Sequence, residues 1–499
     1  MKERKTVSIK PEAARLLTEI SRLLAARNIR AYIVGGFIRD TLLGGATADI
    51  DIAVDADALE VAAGAADYYK GKYVPLDDLN LVRRVIIPDS EWHLDFTTIK
   101  GDIKEDLAHR DFTINALAYE LGENFQTGIE LKLVIDPFAG RRDLELKLVR
   151  ALNDNIFQDD AARLLRALRI AAGLGFNIES STEKLILRDS QLITSVAGER
   201  VREEFLRLLA LPGAGKRLFQ MDKLGLLTAL FPEIIPAKGV DQPRAHVFDV
   251  FEHSIQTVSA VEFVLREADW EYGNEKIRST IPWSEKLESY FNRVIGYGST
   301  GKTILKLSAL LHDIAKPQTK FMDEGRARFL GHQDEGAAVA VSIMERLRFS
   351  KREIQLVELL IKNHLRPTQM SHEGMPSNRA IYRFFRDIGE AGIDTLFLSL
   401  ADHLAARAAT LDIDEWQWHA QMAAYVLEKH FEEAGPTSQP RIIDGREIME
   451  SLGIPAGPAV GELLEALKEA QADGEVRDKS KAIDYLKQLY HERYKNTPN

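Results

Sequence analysis

Two aspartates one residue apart, Asp49 and Asp51, stand in the otherwise apolar run ADIDIAV (48–54). Alternate residues of a strand share a face, so both carboxylates point the same way. Paired hard oxygen ligands suit Mg²⁺. Upstream, AYIVGG (31–36) reads as a buried strand running into Gly35-Gly36, and the segment that follows carries Arg39. Glycines at a helix start let backbone N–H groups approach a triphosphate closely, and an arginine adds charge-assisted hydrogen bonds. A lone GG or a lone pair of acids reads more readily as a turn beside a solvated strand edge. Gathered within GGFIRDTLLGGATADIDIAV (35–54), they read as one unit that handles phosphate and metal.

A second set lies further along: His253 in VFDVFEHSIQTV, His312-Asp313 in LSALLHDIAKP, His332 in FLGHQDEGA, His364 in IKNHLRP and Asp402 in SLADHLAA. Each stretch reads as helix or helix edge. A bundle whose inward-facing His and Asp residues converge can hold a metal pair. Imidazoles suit Mn, Fe, Ni or Zn, and a carboxylate such as Asp313 can bridge two ions. One histidine on an apolar helix is usually an ordinary core residue. Six ligand-type residues in the order H, HD, H, H, D are harder to read that way.

The elements that position these residues follow from the patterning. HLDFTTI (93–99) reads as a further strand of the sheet formed by 31–36 and 48–54, preceded by VRRVIIPD. From about residue 141 the strand signal disappears. Helical spacing fills 155–211, with Gly173 and Gly175 as stop signals. PEIIPAKGVDQPRAH (232–246) reads as a linker and 269–300 as a loop inside a second helical block. TSQP (437–440) opens a short C-terminal segment ending in a charged helix. There, Gly457-Pro458 and Gly461 read as a turn into a helix, and Lys479, Lys481, Lys487, Arg493 and Lys495 as phosphate contacts or solvated surface.

Composition excludes more than it assigns. The 499 residues include no cysteine, so any metal sits on His, Asp or Glu. Apolar residues make up 45% and charged residues 28%, an ordinary globular balance. No apolar run follows the charged start MKERKTVSIKPE, and none is long enough to span a bilayer. A cytoplasmic protein with no membrane contact is expected. The net charge of −11 leaves room for RNA only in a local basic groove.

The string 35–54 resembles the signature of the polymerase-β-like nucleotidyltransferases, and specifically the bacterial-type (class II) tRNA nucleotidyltransferases. RDFTINALAY (110–119), DPFAGRRDL (136–144), DDAARLLRALRIA (159–171) and GERVREEFLRLL (198–209) are similar to the family's later motifs, in order. The resemblance implies an α+β head with a palm sheet, followed by an all-α neck and body. It implies Mg²⁺ at Asp49 and Asp51, with Asp95 as a third carboxylate. Arg110 would bind the triphosphate, and Asn115 would fix a local turn.

In the helix similar to the family's nucleotide-selecting one, Asp160 and Arg163 stand three apart and are expected on one face. A carboxylate accepts from cytosine N4 or adenine N6, and a guanidinium donates to the neighbouring ring acceptors. Guanine and uracil mismatch both partners. Arg166 and Arg169 follow at the same spacing and reach towards phosphates. The family usually has Glu-Asp where this chain has Asp159-Asp160.

Family members that add the terminal A usually carry a loop between the third-carboxylate strand and the second motif. Only IKGDIK separates Thr98 from Glu105 here. CC addition from CTP is therefore expected, with the terminal A left to a partner enzyme. Full CCA addition from CTP and ATP, and poly(A) synthesis, remain alternatives. The His/Asp set resembles the HD phosphohydrolase superfamily, which implies a divalent transition metal and phosphomonoester, 2′,3′-cyclic phosphate or 2′-nucleotide substrates, with Lys316 assisting a phosphate. An HD hydrolase with a nucleotide-sensing head is the alternative from another class. The expected organisation is a head over 1–140, neck and body over 141–240, an HD-type helical domain over 241–405 and a helical tail contacting tRNA over 406–499.

Overall fold

Ala31–Val34 is apolar at every position and buried throughout, as a central strand requires. In the computed structural model, residues 6–45, 47–77, 82–122, 128–243, 246–371, 374–432 and 442–495 are described. The chain divides into two compact units, Met1–Val196 with Leu224–Leu226, and Ala197–Lys223 with Leu227–Asn499.

The first unit contains strands β1 (Thr6–Ser8), β2 (Ala31–Val34), β3 (Asp49–Val54), β4 (Lys72–Asp77), β5 (Val82–Ile86), β6 (His93–Thr98), β7 (Ala118–Glu120) and β8 (Gly128–Glu130). Six form one mixed sheet in the order β4-β5-β6-β3-β2-β7, while β1 pairs with β8. β3 runs antiparallel to β2 and parallel to β6. Alternation then sorts β3: Ile50, Ile52 and Val54 are buried in the core, while Asp49 and Asp51 lie on the opposite face with Ala53. On that face Tyr32, Val34, Ala53, Leu107, Ala116 and Ala118 form a cluster, with Ile99 and Ile103 packed against it. The helix Ala58–Tyr69, capped by the Asp57 carboxylate accepting from Leu59 N–H, packs against β5 and β6.

Beyond the sheet, the first unit continues in the helices Gly140–Leu146, Ile156–Asp159, Arg163–Leu174 and Ser180–Asp189. Gly175 closes Arg163–Leu174 in the left-handed region (φ 65°), while Gly173 lies inside that helix. Extended pairing does not end at 141. Leu148–Val149 pairs with Asn177–Ile178, and the second unit holds two small hairpins. These pairings of two to four residues are too short to leave a periodic signal.

The second unit is helical. Val250–Val264 and Ala391–Arg407 are buried around nearly their whole circumference, which marks them as the central helices of a bundle. The stretch expected as a loop at 269–300 contains helices Glu275–Arg278 and Glu285–Phe291, started by Asn274 and Ser284 side-chain caps, and a Val294–Gly296/Ser299–Thr300 hairpin. Short, polar, capped helices bury few residues and so escape pattern reading.

The stretch expected as a linker also differs. Pro232–Ala237 is a 3₁₀ helix, and Gly239 onward is tied down by Gly239 N–H donating to Asp249 and by Lys316 donating to Gln242. Arg244 and Ala245 lie outside the described residues, as does TSQP (437–440). The helices Gly445–Leu452, Pro458–Ala472 and Lys479–Tyr490 share a small core of their own, including Ile448, Leu463, Leu467 and Leu486. Lys479 pairs with Glu447.

Candidate active site and metal centre

Register brings the head's acids together. In the parallel β3–β6 ladder, Asp51 stands beside Asp95 and Asp49 beside His93. His93 Nδ1 lies 3.4 Å from Asp49 Oδ1. Asp95 is 3% exposed, and a buried carboxylate needs partners. Arg84 supplies them from β5, opposite Asp95, donating from Nε at 2.8 Å and Nη2 at 2.7 Å. The same Nη2 is 3.2 Å from Asp49 Oδ1. Arg84 is therefore a member of the site that the sequence did not single out. VRRVIIPD offers two adjacent arginines, and only the register decides which one meets the acids.

The glycine turn closes over these acids. Gly35 has φ 68° and precedes the helix Gly36–Leu43. A Cβ on Gly35 would come within 3.0 Å of Arg110 Nη1 and 3.1 Å of Asp51 Oδ2. Only a glycine allows both the backbone angle and that approach. Arg39 is fixed by Asp40, accepting at 2.8 and 3.0 Å, and by Asn115 Oδ1, accepting at 2.7 Å. Asn115 in turn donates to Asp111 at 2.9 Å. Asp111 is buried and pairs with Arg166 Nε at 3.0 Å. Burial alone would raise the Asp111 carboxyl, but Arg166 and Asn115 outweigh it and hold the value below normal. Asp111 thus ties RDFTINALAY to the arginine-bearing helix, another role visible only in the structure.

One expectation is corrected here. Asp160 and Arg163 do not share a helix face: Ile156–Asp159 ends before Asp160, which is extended (φ −153°, ψ 103°), and the next helix begins at Arg163. The Asp160 carboxylate accepts from Ala162 N–H at 3.1 Å, and its carbonyl accepts from Arg163 N–H. A short side chain that bonds its own backbone two residues on breaks a helix in this way. Arg163 Nη2 donates to the carbonyl of His109 at 2.9 Å, next to Arg110. Arg169 is half-buried on the same helix.

Burial pushes the Asp51 carboxyl up to about 6, with Asp95 and Asp49 adding to the rise and Arg110 and Arg166 opposing it. A divalent cation needs the ionised form. That form dominates only above the raised value, so cation binding should strengthen as pH rises through about 6. Mg²⁺ binding by the protein, followed by calorimetry, should weaken roughly tenfold per unit as pH drops below that point, the slope of one required ionisation. A flat profile between pH 5 and 7, measured at constant ionic strength, would remove Asp51 from that role.

In the second unit the six predicted residues converge. His253 lies on Val250–Val264 and Asp402 on Ala391–Arg407; His312 and His364 stand at the C-terminal ends of Gly301–Leu311 and Lys351–Asn363; His332 begins His332–Arg346. Asp313 is at the centre. Its Oδ2 is 3.5 Å from His253 Nε2 and 3.2 Å from His312 Nε2, while its Oδ1 is 3.4 Å from His332 Nε2 and 3.8 Å from His364 Nε2. Asp402 Oδ1 adds contacts of 3.0 Å to His253 and 3.7 Å to His312. Two ligand groups thus meet at one carboxylate.

The donor set fits divalent metal. His312 Nε2 and Asp313 Oδ1 are buried without a hydrogen-bond partner, an arrangement that is costly unless a cation satisfies it. Burial works against charge on Asp313, but His312 and Lys316 hold its carboxyl well below the usual range, so it stays anionic. Lys316 Nζ lies 2.6 Å from Asp313 Oδ2. His246 also stands beside this cluster, its ring 5.1 Å from that of His253. Burial lowers its pKa to about 4. In HVFDVFEH it escapes the sequence pattern because 232–246 reads as a linker.

A palm-like sheet presenting acids beneath a glycine turn, and a helical unit converging on HD-type ligands, define a nucleotidyltransferase with an HD domain. Family models agree: the poly(A) polymerase head domain matches residues 31–102 and 82–150, the probable RNA and SrmB-binding site of polymerase A matches 175–238, and the HD domain matches 250–407. The chain is 32% identical over 466 residues to the CC-adding tRNA nucleotidyltransferase of Thermus thermophilus, covering 91% of this chain and 93% of that protein. It is 30% identical to the A-adding tRNA nucleotidyltransferase of Deinococcus radiodurans, covering 93% and 96%. The Thermotoga maritima CCA-adding enzyme complexed with tRNA shares the fold, with a TM-score of 0.61 at 24% identity, over 97% of this chain and 96% of that one.

The chain belongs to the tRNA nucleotidyltransferase family. It is an enzyme of nucleotidyltransferase type, and the family assignment of its two domains implies use of divalent metal ions. Among the described residues, no helix is long and apolar enough to cross a membrane.

Proposed function

We propose that this enzyme extends the 3′ end of tRNA without a nucleic-acid template, adding two C residues from CTP, and that its HD unit hydrolyses a phosphate ester. The observation that carries the first part is the carboxylate trio Asp49, Asp51 and Asp95 beneath Gly35-Gly36. Mg²⁺ held by Asp49 and Asp51 would neutralise charge on the triphosphate and favour ionisation of the attacking 3′-hydroxyl. Asp95, held rigidly by Arg84, lies beside Asp51 as the third acid.

Backbone N–H groups at Gly36, with Arg39 and Arg110, bind the triphosphate. Arg39 is held in place by Asp40 and Asn115, so it loses little freedom on binding. Arg166 and Arg169 add positive charge along the neighbouring helix. Asp160 and Arg163 read the base edge from a turn and the helix start that follows it.

Stopping after two C residues is supported by the link after β6. Only residues 99–102 separate Thr98 from the helix Ile103–Ala108, whose start is locked by a reciprocal cap between Asp102 and Glu105. Ile99 and Ile103 pack on the core. Addition of A alone is a second reading, favoured by the 30% identity to an A-adding relative.

In the HD unit, transition-metal ions on the ligands around Asp313 would polarise a phosphoryl group and supply a nucleophilic water at neutral pH. Lys316 offers charge to the phosphate. Phosphomonoesters, 2′,3′-cyclic phosphates and 2′-nucleotides are the expected substrate class. Clearing a blocked 3′ end would precede extension.

The test offers two tRNAs, one ending at the position before CCA and one ending in CC, to each nucleoside triphosphate separately. CTP should be used, with UTP and GTP rejected. Equal use of all four would dismiss Asp160 and Arg163 as the base-reading pair. Extension by ATP alone, and only on tRNA already ending in CC, would favour the second reading.

A further inference from the structure

The chain between two ligands of the metal centre, Asp313 and His332, forms an arm. The short helix Lys316–Thr319 leads into a hairpin of Lys320–Asp323 and Arg326–Phe329, and Leu330-Gly331 returns the chain to His332. Both ends of the arm are fixed to the centre. At the first end, Lys316 Nζ lies 2.6 Å from Asp313 Oδ2. At the second, the Phe329 carbonyl accepts from His332 Nδ1–H at 2.6 Å, which leaves Nε2 facing Asp313.

Register sorts the hairpin's side chains. Lys320 stands opposite Phe329, and Met322 opposite Ala327. Directly opposed residues share a face, so these four form one face of the ribbon. Phe321, Asp323, Arg326 and Arg328 form the other, where Arg328 pairs with Asp323 at 2.6 Å. The first face meets the centre at its root, since Lys316 Nζ is 5.6 Å from the middle of the Phe329 ring. Lys320 Nζ donates to the carbonyl of Asp241, beside the Gln242 that holds Lys316. Outwards from Phe329 the face is apolar through Ala327 to Met322, which is 64% exposed. Two residues along a strand advance about 7 Å, and a two-stranded ribbon has no core in which to bury such a row.

We propose that this face of the arm, Phe329 with Ala327 and Met322, is a base-binding platform for the hydrolytic centre. The HD unit then acts on nucleotide esters in preference to esters that carry no base. This rests on the hydrolase reading of the HD unit. Lys316 stands between the ligands and the arm, so an ester whose phosphate meets Lys316 has its organic part along the apolar row. Aromatic and apolar side chains hold the flat face of a base without reading its edge. The platform therefore accepts any of the four bases, and the Phe329 backbone and side chain serve the same site in two ways.

The test compares 2′,3′-cyclic AMP with methyl riboside 2′,3′-cyclic phosphate, which offers the same reacting group and sugar with a methoxy group in place of the base. Hydrolysis of each by the full-length, Mn²⁺-loaded protein gives kcat and KM. The parent should show the lower KM for 2′,3′-cyclic AMP. In the double variant Phe329→Ala with Met322→Ala that KM should rise about tenfold at parent kcat, the scale of stacking on one base, while KM for the riboside stays at its parent value. Both substitutions keep the Phe329 carbonyl that aims His332; bound Mn²⁺ and thermal unfolding check that the centre survives. If it does not, Met322→Ala alone carries the test, with a rise of about threefold. Phe329→Tyr with Met322→Leu preserves the apolar face and should preserve both KM values. Equal KM values for the two esters in the parent would overturn the inference. So would a variant in which neither KM changes, or in which both rise equally because the arm only supports the centre. Hydrolysis of neither ester by the Mn²⁺-loaded parent would overturn the hydrolase reading itself.

Discussion

Replacing Asp49 by alanine should reduce nucleotide incorporation by about a thousandfold or more, while any phosphatase activity of the chain stays at its parent level. The size follows from the chemistry: metal neutralisation of transition-state charge is worth several kcal/mol, and each 1.4 kcal/mol is a factor of ten. Asp49 is half-exposed and outside the core, with Arg84 and His93 as its only ion-pair contacts among the described residues. Its loss should therefore leave the fold intact. Asp49 also differs from Asp95, whose two oxygens are both occupied by Arg84. Removing Asp95 takes two charge-assisted hydrogen bonds from the partly exposed Arg84, which keeps Asp49 as a partner, and is expected to cost about 1.5–3 kcal/mol of stability. Incorporation kinetics with circular dichroism on Asp49→Ala is the measurement. Retained incorporation in a folded Asp49→Ala protein would remove the acid pair from the mechanism.

The reverse experiment falls on Asp313. Its oxygens face four histidines, His253 and His312 on one side and His332 and His364 on the other. Asp313→Ala should abolish transition-metal binding by the HD unit and all hydrolysis of phosphate esters. Incorporation from CTP should stay near its parent level, since none of the residues gathered around Asp313 belongs to the acid site of the head. The substitution also leaves Lys316 Nζ without its carboxylate at 2.6 Å, so thermal unfolding must be measured alongside. Metal content from mass spectrometry and hydrolysis of 2′,3′-cyclic AMP give two independent readouts. Loss of both activities from a folded Asp313→Ala protein would contradict the separation of the two sites.

Much of this arrangement is legible in the chain because the determinants are local. Two aspartates one residue apart on a strand share a face whatever the sheet topology, and Gly35-Gly36 before a helix turns the backbone towards them. The HD ligands are legible for another reason: histidine is rare on apolar helices, so its repeated appearance there stands out. What escapes is set by register and by short-range bonding. Arg84 meets Asp95 only because β5 pairs antiparallel with β6 at that offset, and Arg83 next to it has equal standing in the sequence. The break at Asp160 comes from a side chain bonding Ala162 N–H, which outweighs the helical pattern of DDAARLLRALRIA. His246 escapes because a Pro- and Gly-rich stretch reads as a spacer, although hydrogen bonds to Lys316 and to the Asp402 helix make it a strap. The helices at 275–278 and 285–291 escape because four to seven residues carry too little periodicity.

The most direct measurement is extension of a tRNA lacking its last three nucleotides, with CTP and ATP both present and products resolved to single nucleotides. The account predicts a product two residues longer that does not grow further. No extension under any Mg²⁺ concentration, from a folded protein that binds the tRNA, would contradict the assignment of the head as a working transferase.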